Sequence, residues 1–191
     1  MKKKLKNLKM RWTLIIFLYV GLGASIMQMR GPLLTSIQGT FGVSKSFLGL
    51  VAPAGTLGFL LALISSGMLA GKVDIKKLIL LSLFFNFIGM VFISLSFSFF
   101  MFLGFLLGRG SAAGIFRGLD RTIISHLYSE KRGWILSIHA LVWAAGAAMG
   151  PIFVNFIIPL IDWRYAYFIL SIPILFILLL SWNCELPEIV S

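Results

Sequence analysis

An arginine lies deep inside a long apolar stretch of this sequence. Arg109 follows the run Phe99–Gly108, so in a helix it stands about 15 Å from the start of that run. A charged side chain near the middle of a bilayer costs several kcal/mol unless it is paired or hydrated, and such residues usually serve a substrate or ion path. We expect Arg109 to line a transport cavity. The alternative is a structural arginine that is bonded to helix carbonyls. Water, a substrate anion and a residue of another chain are the other candidate partners of Arg109.

Two other ionisable side chains occur in apolar surroundings, Asp120 and His139. Histidine titrates near neutral pH and can carry a proton, so this pair is a candidate for proton coupling. For His139 the sequence favours the simpler interpretation, in which a packed histidine bonds a serine or a carbonyl.

Small residues and a tryptophan follow His139 on the same helical face. Trp143, Gly146 and Gly150 recur at the helical period, and Pro151 comes directly after them. Glycines four residues apart let another helix approach closely, and the proline permits a bend. We expect another helix to pack closely against this face.

The first apolar stretch carries polar residues as well. Ser25 and Gln28 share one helical face, and a polar face inside a spanning helix points to protein or to a water-filled cavity. Arg30 lies near the far end of this helix, where it either joins the cavity or extends to the membrane interface. We add Arg117, about two helical turns beyond Arg109, to these candidate cavity residues.

The elements that position these residues are predicted to be membrane-spanning helices. Of the 191 residues, 59% are hydrophobic, and apolar runs of about 20 residues recur, which is the length that crosses a bilayer. The runs are continuous rather than alternating, so helices are favoured over a barrel. An all-α membrane protein follows, with six helices at residues 12–34, 47–69, 77–96, 98–120, 133–158 and 163–183. Residues 1–11 form a basic cytoplasmic leader, and residues 184–191 form a cytoplasmic tail.

Charge predicts the orientation of the bundle. The net charge is +11, and the basic residues concentrate on the side of the membrane that holds the leader. Basic residues mark cytoplasmic loops, so we expect both termini in the cytoplasm and a location in the plasma membrane. The single Cys184 excludes an internal disulfide and a cysteine-based metal site. We expect no metal, no cofactor and no nucleic acid.

Several short motifs together resemble the major facilitator superfamily. Arg109 with Gly114 resembles the motif of the fourth helix in that family, and Trp163-Arg164-Tyr165 resembles the opening of its sixth helix. The glycine face ending at Pro151 resembles the fifth-helix motif of its antiporters and exporters. The loop between the second and third helices resembles a damaged copy of the gating loop of the family, at Gly67, Gly71, Lys72, Asp74, Lys76 and Lys77.

The resemblance implies the N-terminal six-helix half of such a transporter, built from two three-helix repeats. In this family helices 1 and 4 line the cavity, helices 2 and 5 face the other half, and helices 3 and 6 face lipid. It implies a permease that moves a small organic solute by alternating access, with proton-coupled efflux as a candidate mode. The third predicted helix is apolar except for one strongly polar residue, Asn86, so we expect it to take a peripheral, lipid-facing position.

Three arrangements remain open for a six-helix chain of this family. It is a truncated or inactive fragment, half of a split transporter, or one subunit of a homodimer, and in the last two a second six-helix half completes it. A non-transporting scaffold is an alternative function. An intramembrane serine protease is disfavoured, because Gly23-Ala24-Ser25-Ile26 lacks the final glycine of the protease motif and the sixth helix has no histidine. We expect no enzymatic activity.

Overall fold

A computed structural model describes residues 2–69 and 73–187 of the chain. Eight α-helices and one short 3-10 helix make up this part, and it contains no strand. The helices are α1 (Lys2–Gln28), α2 (Arg30–Phe41), α3 (Lys45–Leu48), α4 (Val51–Leu69), α5 (Ile75–Ser94), α6 (Phe99–Leu127), α7 (Arg132–Ile157) and α8 (Trp163–Trp182), and the 3-10 helix is Ser129–Lys131.

Six of these segments are long and apolar enough to cross a membrane. Four of them are formed by α1, α5, α6 and α8. The other two are formed by α3 together with α4, and by the 3-10 helix together with α7. The predicted all-α fold with six spans is therefore confirmed.

The first span ends differently from the prediction. The helix breaks at Met29 and resumes as α2, which continues to Phe41, well past the predicted end at residue 34. Pro32 lies in the first turn of α2, where its missing N–H would have had no partner in the helix. Gly42 ends α2 with a left-handed φ of 62°, and its N–H reaches Gln38 O. Nothing between these two residues breaks a helix, so the segment expected to be a loop stays helical.

Side-chain caps fix the starts of three spans. The Asp74 carboxylate accepts hydrogen bonds from the backbone N–H groups of Lys76 and Lys77 at the start of α5. Ser98 caps α6 and Asp162 caps α8 in the same manner. Such caps bond N–H groups that have no partner within the helix, and each typically contributes about 1 kcal/mol.

The helices pack in a pattern that pairs the two halves of the chain. α4 lies along α6 and α7 lies along α1, while α5 contacts α6 in the way that α8 contacts α1. α5 and α8 contact each other. An exchange of the first three spans with the last three leaves these pairings unchanged, as two three-helix repeats require.

Glycines form the contact between α4 and α6. A Cβ on Gly110 would overlap the Gly55 carbonyl oxygen, and one on Gly114 would overlap that of Phe59. From the other side, a Cβ on Gly58 would overlap the Leu107 carbonyl oxygen. We call this contact the α4–α6 seam. Its spacing of four residues was present in the sequence but was not among the predicted motifs.

The second glycine contact corrects a prediction. Gly146 and Gly150 do not form an open face for a second six-helix unit, because α1 covers them within the chain. A Cβ on Gly146 would overlap the backbone of Gly21, and one on Gly150 would overlap that of Ser25. Both glycines are buried. We call this contact the α1–α7 seam, and it is needed for the fold of this chain.

The amount of buried surface differs among the spans. Half of the most apolar window of α5 is buried, against 17% in the spans of α4 and of α7. α5 packs on α6 and α8 with one face, where Asn86 is fully buried, and exposes Leu81, Phe84 and Phe85 on the other. α4 and α7 present the largest open faces.

Candidate functional site

A cavity of about 360 Å³ opens between α1, α4, α6 and α7. Arg30, at the start of α2, closes one part of its wall. Ionisable and polar groups from several helices meet in it. They are Tyr19 and Arg30, then Thr56 of α4, then Arg109, Arg117 and Arg121 of α6, and His139 of α7.

Arg109 is held by a polar contact that crosses three helices. Its side chain is 2% exposed, and its Nε donates a hydrogen bond to the Asn86 Oδ1 at 3.2 Å. The Asn86 amide in turn donates to the Tyr19 hydroxyl of α1. Gly89, one turn after Asn86, leaves the space that the Arg109 stem fills. The partner of Arg109 is thus an amide of α5, a possibility that the sequence did not suggest.

Arg30 enters the cavity because the helix breaks one residue before it. Its guanidinium lies against the backbone of Gly55, where any side chain would collide with it. The Nε atom is buried without a hydrogen-bond partner. Arg30 and Arg109 line the same cavity, and Gly55, which Arg30 contacts, also packs against Gly110, the residue after Arg109. Two cations therefore share one end of the cavity, and only one has a protein acceptor within the described residues.

Asp120, Arg117 and His139 form a compact charged triad. Arg117 Nη1 donates to Asp120 Oδ2 at 2.7 Å, and His139 Nε2 lies 3.2 Å from the same oxygen. Asp120 is fully buried, and its second oxygen, Oδ1, has no partner. The favoured expectation of a serine or carbonyl partner for His139 is wrong, since the partner is a carboxylate. The sequence did place Asp120 and His139 together as proton-linked candidates.

Comparisons with known proteins agree with this architecture. The family profile described as Major Facilitator Superfamily matches residues 13–187, which is nearly the whole chain. The chain belongs to the Major Facilitator Superfamily. Proteins of this family move small solutes across membranes, so the chain is a multi-pass membrane protein of a transporter family rather than of an enzyme family.

Relatives of this superfamily member are longer than it is. "Protein TsgA homolog" of Buchnera aphidicola subsp. Acyrthosiphon pisum, strain Tuc7, is 25% identical over 178 residues, which cover 92% of this chain and 46% of that protein. The same protein from strain APS matches equally well. The chain thus spans about half the length of these relatives.

A solved structure shares the superfamily fold. It is a crystal structure of a bacterial homolog of the human lysosomal transporter Spinster, in an inward-facing, unoccupied conformation, and the TM-score is 0.76. The two are 20% identical, and the match covers 97% of this chain and 44% of that one.

Not every predicted cavity residue of this superfamily member lines the cavity. The Ser25 hydroxyl donates to Gly146 O at 2.7 Å, so it belongs to the α1–α7 seam. Gln28 is exposed and lies outside the cavity wall. Both were predicted from one helical face, which meets α7 at Ser25 and is exposed at Gln28. Arg30, Arg109 and Arg117 do line the cavity, and so does Trp143.

The predicted gating loop is described only in part. Gly71 and Lys72 lie outside the described residues, and Gly67 is exposed near the end of α4. Asp74 serves as the cap of α5, and Lys76 Nζ donates to the Trp182 carbonyl at 3.2 Å. In the described part, the loop residues therefore fix the start of α5 and link it to the end of α8.

An aromatic cluster closes the opposite end of the bundle. Trp163 Nε1 donates to Thr40 Oγ1 at 2.9 Å, which joins α8 to the last turn of α2. Arg164 Nη2 donates to the Ser96 carbonyl at 2.9 Å, and its guanidinium lies 4.8 Å from the centre of the Trp163 ring. The family motif at the start of the sixth span thus joins the start of α8 to the end of α2 and to the turn between α5 and α6.

Proposed function

We propose that this chain is a secondary active transporter, or half of one, that moves a small organic solute by alternating access. The cavity carries the proposal, because ionisable residues of three membrane spans, α1, α6 and α7, meet in it together with Arg30 of α2. Ionisable residues inside a membrane usually mark a substrate or ion path. The proposal also places the chain in the plasma membrane with both termini in the cytoplasm, since basic residues concentrate on that side.

We propose that a second six-helix unit completes the pathway. The supporting observation is that α4 and α7, which flank the cavity, are the least buried spans. This unit lies elsewhere in the same polypeptide, in a partner chain or in a second copy. It contacts the outer faces of α4 and α7, because the α1–α7 seam is already filled by α1.

We propose that transport is coupled to protons through the triad, with efflux as the proposed direction. Asp120 is the only buried carboxylate among the described residues, and it is shared by Arg117 on its own helix and His139 on α7. Tyr19 of α1 and Arg121 of α6 complete the ionisable surroundings. A proton on Asp120 removes the negative charge that holds Arg117, and it frees that cation to face the cavity. Proton binding and solute binding are then coupled through one carboxylate.

The test is solute accumulation in proteoliposomes under an imposed pH gradient. The probe is a uniformly 13C-labelled microbial metabolite extract, and the solutes that enter are identified by mass spectrometry. We expect at least one solute to accumulate above the level in empty liposomes, and the Asp120→Asn variant to lose the gradient dependence. Glu130→Gln, a change at an exposed residue of the 3-10 helix, is the matched control and should behave like the parent.

Two results would contradict the proposal. The first is an absence of any solute above the empty-liposome level, which would favour a scaffold role. The second is an Asp120→Asn variant that keeps the full response to the pH gradient, which would remove the triad from the coupling.

A further inference from the structure

The cavity holds far more positive than negative charge. Four arginines line it, Arg30, Arg109, Arg117 and Arg121. The described residues contribute one buried carboxylate, Asp120, and Arg117 already occupies it. Arg109 is buried near the middle of its span, where an arginine is costly unless it is paired or hydrated, while Arg121 is exposed near the end of α6. A cavity that retains this excess of cations is suited to a negatively charged occupant.

Arg30 and Arg109 supply the unmet hydrogen-bond donors. Arg30 has no acceptor among the described residues, and its buried Nε lacks a partner. Arg109 uses its Nε on Asn86, and no protein acceptor is present for its two terminal nitrogens within the described residues. Guanidinium groups bind carboxylates, sulfonates and phosphates through paired N–H donors. An anion between the two side chains would provide acceptors and would also offset their like charges.

The remaining wall of the cavity is apolar. Val20, Ala24 and Met27 of α1 form one side, and Phe59 and Trp143 form the others. An inorganic anion would leave this surface in contact with water, whereas a solute with an apolar body would cover it. The charged end and the apolar wall lie in one cavity, which favours a single amphipathic ligand.

We infer that the solute is an organic anion with an apolar body, bound with its acidic group between Arg30 and Arg109. This inference rests on the proposed transport function and adds the class of substrate to it. Arg117 and Arg121 lie further along α6 and provide a positive path beyond that position. Asn86 is a positioning residue, since it holds Arg109 in its orientation and does not line the cavity.

The test compares three probes that share one body and differ in permanent charge. They are naphthalene-2-sulfonate, naphthalene-2-sulfonamide and trimethyl(2-naphthyl)ammonium, an anion, a neutral compound and a cation. Binding to the full chain in phosphatidylcholine nanodiscs is measured by calorimetry. We expect the sulfonate to bind at least tenfold more tightly than the other two, with an affinity that falls as salt increases.

Variants assign the binding to the two arginines. Arg30→Gln and Arg109→Gln should each weaken sulfonate binding about tenfold or more, because each removes a charge-assisted hydrogen bond. Arg30→Lys keeps the charge and should retain part of the affinity, which separates loss of charge from loss of fold. Arg132→Gln, at an exposed position at the start of α7, is the matched control and should bind like the parent.

Other results would overturn the inference. They are equal binding of the three probes, preference for the cation, no sulfonate binding at millimolar concentration, and unchanged binding in both glutamine variants. Loss of sulfonate binding in nanodiscs that contain phosphatidylglycerol would also overturn it, since the anionic lipid headgroup would then occupy the site between Arg30 and Arg109. Accumulation of only neutral or cationic solutes in the proteoliposome assay would reject the anion and leave the transport proposal standing.

Discussion

Replacement of Gly110 by alanine tests whether the α4–α6 seam holds the bundle together. The added Cβ would lie 3.1 Å from the Gly55 carbonyl carbon and 3.3 Å from its Cα, and it would overlap the carbonyl oxygen. These are backbone atoms, so no side-chain rotation relieves the clash, and the two helices must separate by a few tenths of an ångström or more.

The expected cost follows from two opposing effects. Overpacking of a close contact typically costs about 1–3 kcal/mol, while alanine gains up to about 1 kcal/mol over glycine in helix propensity. Gly110→Ala should therefore lower the free energy of unfolding by up to about 2 kcal/mol, and by about 1–3 kcal/mol relative to a glycine-to-alanine change that meets no clash. Gly108→Ala is the matched control on the same helix, because nothing lies within 4 Å of its added Cβ. It should be neutral or stabilising by up to about 1 kcal/mol.

The assay is equilibrium unfolding of the purified chain in mixed micelles, followed by circular dichroism. The difference between the two variants is the measured quantity, which removes effects common to any glycine-to-alanine change. If Gly110→Ala were as stable as Gly108→Ala, the close approach of α4 to α6 would not exist in the folded protein.

Three further changes probe other contacts. Asn86→Leu should cost about 1–3 kcal/mol in the same unfolding assay, because Arg109 Nε would stay buried without an acceptor; full stability would refute that contact. Trp163→Phe and Thr40→Val should each cost about 0.5–1.5 kcal/mol, and the double variant little more than either, whereas simple additivity would argue against their hydrogen bond. Burial raises the pKa of the Cys184 thiol, so maleimide should label it slowly at pH 7, faster as pH rises, and fast at once after denaturation; equal rates would contradict this.

The sequence predicted the spans because apolar length alone decides them. α5 and α8 begin directly after their capping residues, Asp74 and Asp162. The break at Met29 was missed although the sequence contains its cause, because Pro32 has no N–H to bond the Gln28 carbonyl four residues earlier and its ring crowds that carbonyl. The structure places Arg30 in the cavity through that break.

The sequence predicts a cavity residue where the depth of a charged side chain within an apolar run is enough to indicate its role. Arg109 was identified from its position in an apolar run, and its place in the cavity wall follows from that depth. The assignment of Gly146 and Gly150 failed for a different reason. A pair of glycines shows that a helix approaches closely, but it does not show which helix, and α1 was one of several candidates. The buried contact of Asn86 was missed for the same reason.

The two seams also limit which mutations the chain can accept. A glycine in close contact with backbone has no smaller replacement, so every coding change at Gly110, Gly114, Gly146 or Gly150 adds volume where none is free. A core leucine can be replaced by a smaller residue, and a second substitution at a neighbouring residue can then fill the space. No such compensating substitution is available where a new side chain would collide with backbone. Natural variation in this chain should therefore concentrate on the exposed apolar residues of α5 and α8, and the seams should stay glycine while the cavity acquires new specificities.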